Sequence, residues 1–178
     1  MANFLFGWEL GAGLGHVARI KPLAQAMHRR GHGCTLVLRD LVQPAAILRE
    51  LAELPRLQAP FWQHETRGLP QPQVSLPEVL LAQGYLMAPH LQALVEGWLA
   101  AFRLAGTEAL VADYAPTAVL AARIAGIPSA TIGIGFALPP DQQPLPSFRP
   151  ELNAPQARLF DGEARALASV NAVLAAHG

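Results

Sequence analysis

Short runs of consecutive apolar residues alternate along the chain with longer segments in which apolar positions recur every three or four residues. The first pattern fits strands buried on both faces and the second fits helices laid against them. Together they predict an α/β domain with a Rossmann-like, doubly wound parallel sheet in three α/β/α layers. Five strands are predicted, at Asn3–Trp8, Gly33–Leu38, 56–60, 109–112 and 129–134. Val17, Ile20, Ala24 and Met27 form the apolar face of a first helix that stops at Gly31. Residues 41–54 read as a second helix. A long helical pattern over 76–104 repeats Leu80, Met87, Leu91, Leu94, Trp98 and Phe102, with Pro89 inside it predicting a kink or a division in two. Pro116 opens a helix running to Ala125, and Asn153 with Pro155 opens a last one running to Ala176.

Two stretches, 61–75 and 135–154, are rich in Pro and Gln and carry no periodicity, so they read as long loops. Loops of this kind beside the carboxyl edge of a sheet often hold binding residues. Composition then narrows the function. Lys plus Arg and Asp plus Glu are 13 each, so the balance of charge gives no long-range attraction for nucleic acid. Cys34 is the only cysteine, which excludes an intrachain disulfide and a thiolate metal cluster and points to a cytoplasmic setting with Cys34 as a buried strand residue. The 52% of apolar residues contain no uninterrupted run near the roughly 20 that a spanning helix needs. The expectation is membrane contact that is at most peripheral, no metal and no resident cofactor.

The chemistry concentrates in ELGAGLGH, residues 9–16, which follows the first strand and opens the first helix. Gly11, Gly13 and Gly15 let the main chain turn tightly and let a ligand approach its amides. A dinucleotide reading would use Asp40 at the end of the second strand to hold a ribose, but the last position of G-x-G-x-x-G is then His16. A bulky ring does not suit that close-packed position, and Asp40 has the simpler reading of a turn acid. His16 stands where the positive end of a helix dipole disfavours an imidazolium, which suits a proton acceptor. The fourth strand delivers Asp113 to the same sheet edge, and if the first and fourth strands are neighbours the two side chains face each other. A carboxylate on the second ring nitrogen would fix the tautomer and stabilise the charge formed on proton transfer. Asp113 also has a structural reading, near the start of the following helix. His28 and His32 flank a basic helix end, His64 and His90 lie in or after the first loop, and His177 is terminal. No pair has metal-ligand spacing with a carboxylate nearby. Phe61, Trp62, Tyr85 and Phe136 are candidates for an apolar binding site or for the core, and Gly135 with Phe136 for substrate contact.

GAGLGHVARIKPLAQAMHRRGH resembles the opening of GT-B glycosyltransferases of the UDP-glycosyltransferase and MurG-like type, in Gly15-His16, Pro22-Leu23 and Gly31-His32. VADYAPTAVLAARIAGIPS is similar to the family's strand, Asp, helix and Gly-Ile-Pro passage. The resemblance covers about the first 135 residues. It implies an N-terminal, acceptor-binding domain over residues 1–178, with His16 as the base that deprotonates an acceptor hydroxyl and Asp113 as its partner. It further implies a nucleotide-sugar co-substrate held mainly by a C-terminal domain, in cis or in trans, of which nothing after Pro155 has the character. On this reading the acceptor is a small molecule or lipid, and the chain alone is inert. The alternatives are a non-catalytic acceptor-binding or partner-binding subunit and a dinucleotide-binding protein.

Overall fold

The computed structural model describes residues 1–178, the side chain of Phe136 excepted. The chain forms two compact units, one of Met1–Phe61 with Val95–Gly133 and one of Trp62–Leu94 with Ile134–Gly178.

The first unit holds a five-stranded parallel sheet of β1 (Asn3–Trp8), β2 (Gly33–Leu38), β3 (Arg56–Gln58), β4 (Ala109–Asp113) and β5 (Ser129–Ile132), in the order β3-β2-β1-β4-β5. β1 and β2 have the predicted limits, while β3 and β5 are each two residues shorter than their apolar runs. From β1 the chain winds toward β2 and from β4 toward β5, so the winding reverses between β1 and β4 and a crevice opens at their carboxyl ends. Their register pairs Trp8 with Asp113, so both strands reach that edge at the same level.

Helix α1 (Gly15–Arg29) buries Val17, Ile20 and Ala24 against Phe6, Trp8, Leu36 and Leu38. The opposite face of β1 is shaped for another ring. A Cβ on Gly7 would stand 3.3 Å from the Trp98 indole, so the missing side chain is the space that Trp98 fills. Trp98 belongs to α3 (Ala88–Ala105), whose preceding short helix α2 is Leu76–Leu80. Helix α4 (Pro116–Ile124) connects β4 to β5 and starts with its proline in the first turn, as predicted.

Three helical expectations need correction. Residues 41–54 form two 3-10 turns, Gln43–Ala45 and Arg49–Leu51, in place of a helix. Pro44 has no N–H to give, Asp40 Oδ1 accepts the amides of Val42 and Gln43, and Arg56 Nη2 donates to the carbonyls of Leu48 and Leu51. Those carbonyls are the ones that a continuing helix would use internally. The long pattern over 76–104 does divide, but at Gly84 rather than at Pro89. Gly84 has φ +97°, outside helical space, and ends a wide π-type turn over Leu81–Tyr85, whereas Pro89 sits harmlessly in the first turn of α3. The last helix, α5 (Gln156–Ala176), starts at Pro155 without a side-chain cap, and Asn153 is left-handed at φ 45° instead of capping it.

The second unit packs α2 and the π-type turn against α5. Glu78 of α2 is buried there, and Arg158 of α5 donates to both of its oxygens at 2.6 and 2.9 Å while the Val74 amide donates to Oε2 at 2.8 Å. The stretches 61–75 and 135–154 contain no strand and, beyond two short 3-10 turns at Gly135–Ala137 and Pro150–Leu152, no helix.

Candidate functional site

The Gly-rich segment crosses from the end of β1 to the start of α1, and it is anchored at its entrance. Leu10 N–H donates to the Tyr114 carbonyl at 2.9 Å, which continues the pairing of β1 with β4 one step past the strands. Glu9 turns fully inward, where its Oε2 accepts the Thr117 amide at 2.9 Å and its Oε1 accepts the Thr117 hydroxyl at 2.5 Å. Its carboxyl therefore satisfies the first turn of α4, the duty that the sequence offered to Asp113. Burial pushes the Glu9 carboxyl up to about 7, against the lowering effect of the Thr117 bonds and of Arg39.

Asp113 is thus released to face the crevice. His16, the second residue of α1, places Nδ1 2.8 Å from Asp113 Oδ1, so the pairing expected from strand order is present. The structure adds a third member. Arg19, one helical turn beyond His16, donates Nε–H to Asp113 Oδ2 at 2.7 Å and Nη2–H to Oδ1 at 2.9 Å. Asp113 is completely buried; burial alone pushes its carboxyl up, but the bonds from His16 and Arg19 and their charges win and hold it below the usual range. An ionised carboxylate only accepts, so Nδ1 of His16 carries the proton and donates it to Oδ1. Arg19 Nη2, 3.1 Å from Nδ1, is a second donor converging on the same oxygen. The proton-free nitrogen is therefore Nε2.

Aromatic rings hold the imidazole in plane. Trp8 stacks on one side at 5.2 Å between centroids and Tyr114 lies at 6.1 Å with an interplanar angle of 22°. Trp8 is itself pinned by its indole N–H to the Leu10 carbonyl at 2.8 Å, and Tyr114 adopts φ 49° to bring its ring over. Close to Nε2 the main chain carries no side chain. Gly11, at φ 79°, has its would-be Cβ 2.8 Å from Nε2, so any side chain there would cover the one proton-accepting atom of the ring. His16 keeps 14% of its side-chain surface exposed.

Gly15, the first residue of α1, borders this cluster, its would-be Cβ 3.8 Å from Arg19 Nη1. The other predicted residues sit apart from it, and a Cβ on Gly13 would meet nothing within 4 Å. Asp40 is the turn acid of its simpler reading. Cys34 is buried in β2, His28 pairs with Glu53 at 3.4 Å, and His32 Nδ1 accepts the Ala2 amide. Phe61 lies 4.4 Å beneath the Arg39 guanidinium. Trp62, Tyr85 and Gly135 belong to the second unit. There Trp62 stacks with His90 and meets His64 edge-on, Tyr85 is buried, and Gly135 borders a cavity of about 200 Å³ with Leu76, Pro140 and Phe148. The side chain of Phe136 lies outside the described residues. Among the described residues no group of three His, Cys, Asp or Glu side chains is arranged to hold a metal, and no helix is long and apolar enough to cross a membrane.

Sequence reasoning missed Glu9 and Arg19. For Arg19 a signal existed, since three residues after His16 on a helix is the same face. For Glu9 none did, because its partner Thr117 is 108 residues away.

No family model matches the sequence, and no curated protein matches it. Solved structures do match the fold. The glycosyltransferase SsfS6 of Streptomyces sp. SF2575 superposes with a TM-score of 0.57 at 16% identity, over 98% of this chain and 47% of its own. The glycotransferase of kitacinnamycin gives 0.56 at 18% identity, over 99% and 41%. MurG of Acinetobacter baumannii gives 0.52 at 18%, over 76% and 37%. The chain therefore spans less than half the length of each. At these identities the likeness is one of fold, and the fold is that of a GT-B glycosyltransferase N-terminal domain.

Proposed function

We propose that this chain is the acceptor side of an inverting glycosyltransferase, with His16 as general base and Asp113 as the carboxylate that orients it. The observation that carries the reading is the His16–Asp113 bond at 2.8 Å, which engages Nδ1 and leaves Nε2 as the ring's proton acceptor, with no side chain at Gly11 to cover it. In the reaction an acceptor hydroxyl donates its proton to Nε2 as its oxygen attacks the anomeric carbon of a nucleotide-sugar. The bond from that carbon to the diphosphate breaks, the configuration inverts, and the nucleoside diphosphate leaves. Asp113 stabilises the imidazolium formed, and the amides of the 11–15 loop face the acceptor or the donor phosphates. SsfS6 is also known complexed with thymidine diphosphate, which supports a nucleotide-sugar as the donor class.

The donor is held mainly by a second domain, in cis or in trans, in keeping with a span here of less than half of each matching structure. The 178-residue chain alone is then inert. The test is release of nucleoside diphosphate by the protein as encoded with its donor half. His16→Ala lowers kcat by about 10² to 10⁴ with the fold intact. Normal turnover by that variant, or transfer by the isolated chain, would overturn the reading.

A further inference from the structure

We propose that Arg19 is a positioning residue of this site, a fork that clamps both oxygens of Asp113 and fixes the carboxylate against the Nδ1 edge of His16. The inference builds on the base reading above and gives that site a third member.

A bidentate guanidinium does what a single bond cannot. Nε to Oδ2 at 2.7 Å and Nη2 to Oδ1 at 2.9 Å define the plane of the carboxylate as well as its distance. Oδ1 is thereby held where the imidazole N–H points, 2.8 Å from Nδ1. Because His16 and Arg19 are three residues apart on α1, one turn of helix carries ring and fork together and meets Asp113 at the end of β4 as a unit. A carboxylate held by His16 alone would be free to turn about its own bonds.

The fork also brings a cation to the site, with Arg19 Nη2 3.1 Å from Nδ1 of His16. The other groups facing the ring add little charge. Trp8 of β1 has none, and the Tyr114 phenol, which burial pushes up to about 12, is neutral. Glu9 at the end of β1 titrates near 7, but it is turned inward onto Thr117.

The test needs no substrate. The ring nitrogen signals of His16 are recorded by NMR in the 178-residue chain, in the native sequence and in Arg19→Gln and Arg19→Lys. Both variants remove the fork, so the ring nitrogen shifts lose their Nδ1–H character, Arg19→Lys doing so while keeping the charge. Ring shifts unchanged in Arg19→Gln would overturn the proposal. Should that variant not fold, ring nitrogen shifts in Arg19→Lys identical to the native ones would overturn it instead. A flat result here leaves His16 as base in place. Full turnover by His16→Ala would remove the base and leave these ring shifts standing.

Discussion

Glu9 gives the chain a pH dependence of stability opposite to that of an ordinary ion-paired carboxylate. Its side chain is fully buried, and burial raises its pKa from the ordinary 4.5 to about 7 despite the bonds from Thr117 and the charge of Arg39. A carboxyl whose folded pKa is raised holds its proton more tightly folded than unfolded. Its contribution is therefore fully present below pH 4.5 and is lost as the pH rises through about 7. The span between those values corresponds to about 3 kcal/mol, of which about 2 kcal/mol falls between pH 5.5 and 8.5. Glu9→Gln removes the titration while keeping an oxygen for the Thr117 amide and an N–H for the Thr117 hydroxyl. Urea unfolding of the chain and of the variant at pH 5.5 and 8.5, followed by tryptophan fluorescence, measures the difference. The native chain should lose about 2 kcal/mol more than the variant over that interval. Equal losses would show that Glu9 does not take up a proton on folding and would refute the reasoning.

Two further outcomes follow from particular contacts. Gly11→Ala costs about 1 to 2 kcal/mol of backbone strain at φ 79° and covers Nε2. Acylation of His16 by diethyl pyrocarbonate, read by peptide mass spectrometry, should slow at least about tenfold. Gly13→Ala, at φ 94° with open space around its Cβ, should be strained but acylate at the native rate; equal slowing in both would rule out the covering. Arg158→Met leaves Glu78 buried with the Val74 amide as its remaining donor among the bonds described above, and should cost about 2 to 3 kcal/mol because Arg158 is partly exposed. An unchanged urea midpoint would contradict that assignment.

What the sequence revealed and what it concealed divide by the range of the forces involved. β1 and β2 were legible because a buried parallel strand must be apolar on both faces, and Leu5 and Phe6 of β1 and Leu36 and Val37 of β2 satisfy that locally. His16 and Asp113 were legible as a pair because strand order brings β1 beside β4, and the register of Trp8 with Asp113 does so. The 41–54 helix failed because its apolar spacing was real but its carbonyls were claimed by Arg56, which is outside the window that periodicity examines. The division of the long helix was foreseen for the wrong residue, since a proline in a first turn is harmless and a glycine at φ 97° is not. Glu9 looked like any polar residue ending a strand. Only the fold shows that it, and not Asp113, serves the start of α4.

The His16–Asp113 bond closes a span of 97 residues. A chain emerging from the ribosome presents its histidine and its glycine loop long before the carboxylate that completes them exists. Until β4 has been made and has docked beside β1, the nascent chain carries an imidazole with no partner and a loop with no anchor at Tyr114. Assembly of the site is thereby tied to completion of the central strand pair, and a truncated translation product ending before residue 113 cannot mimic it.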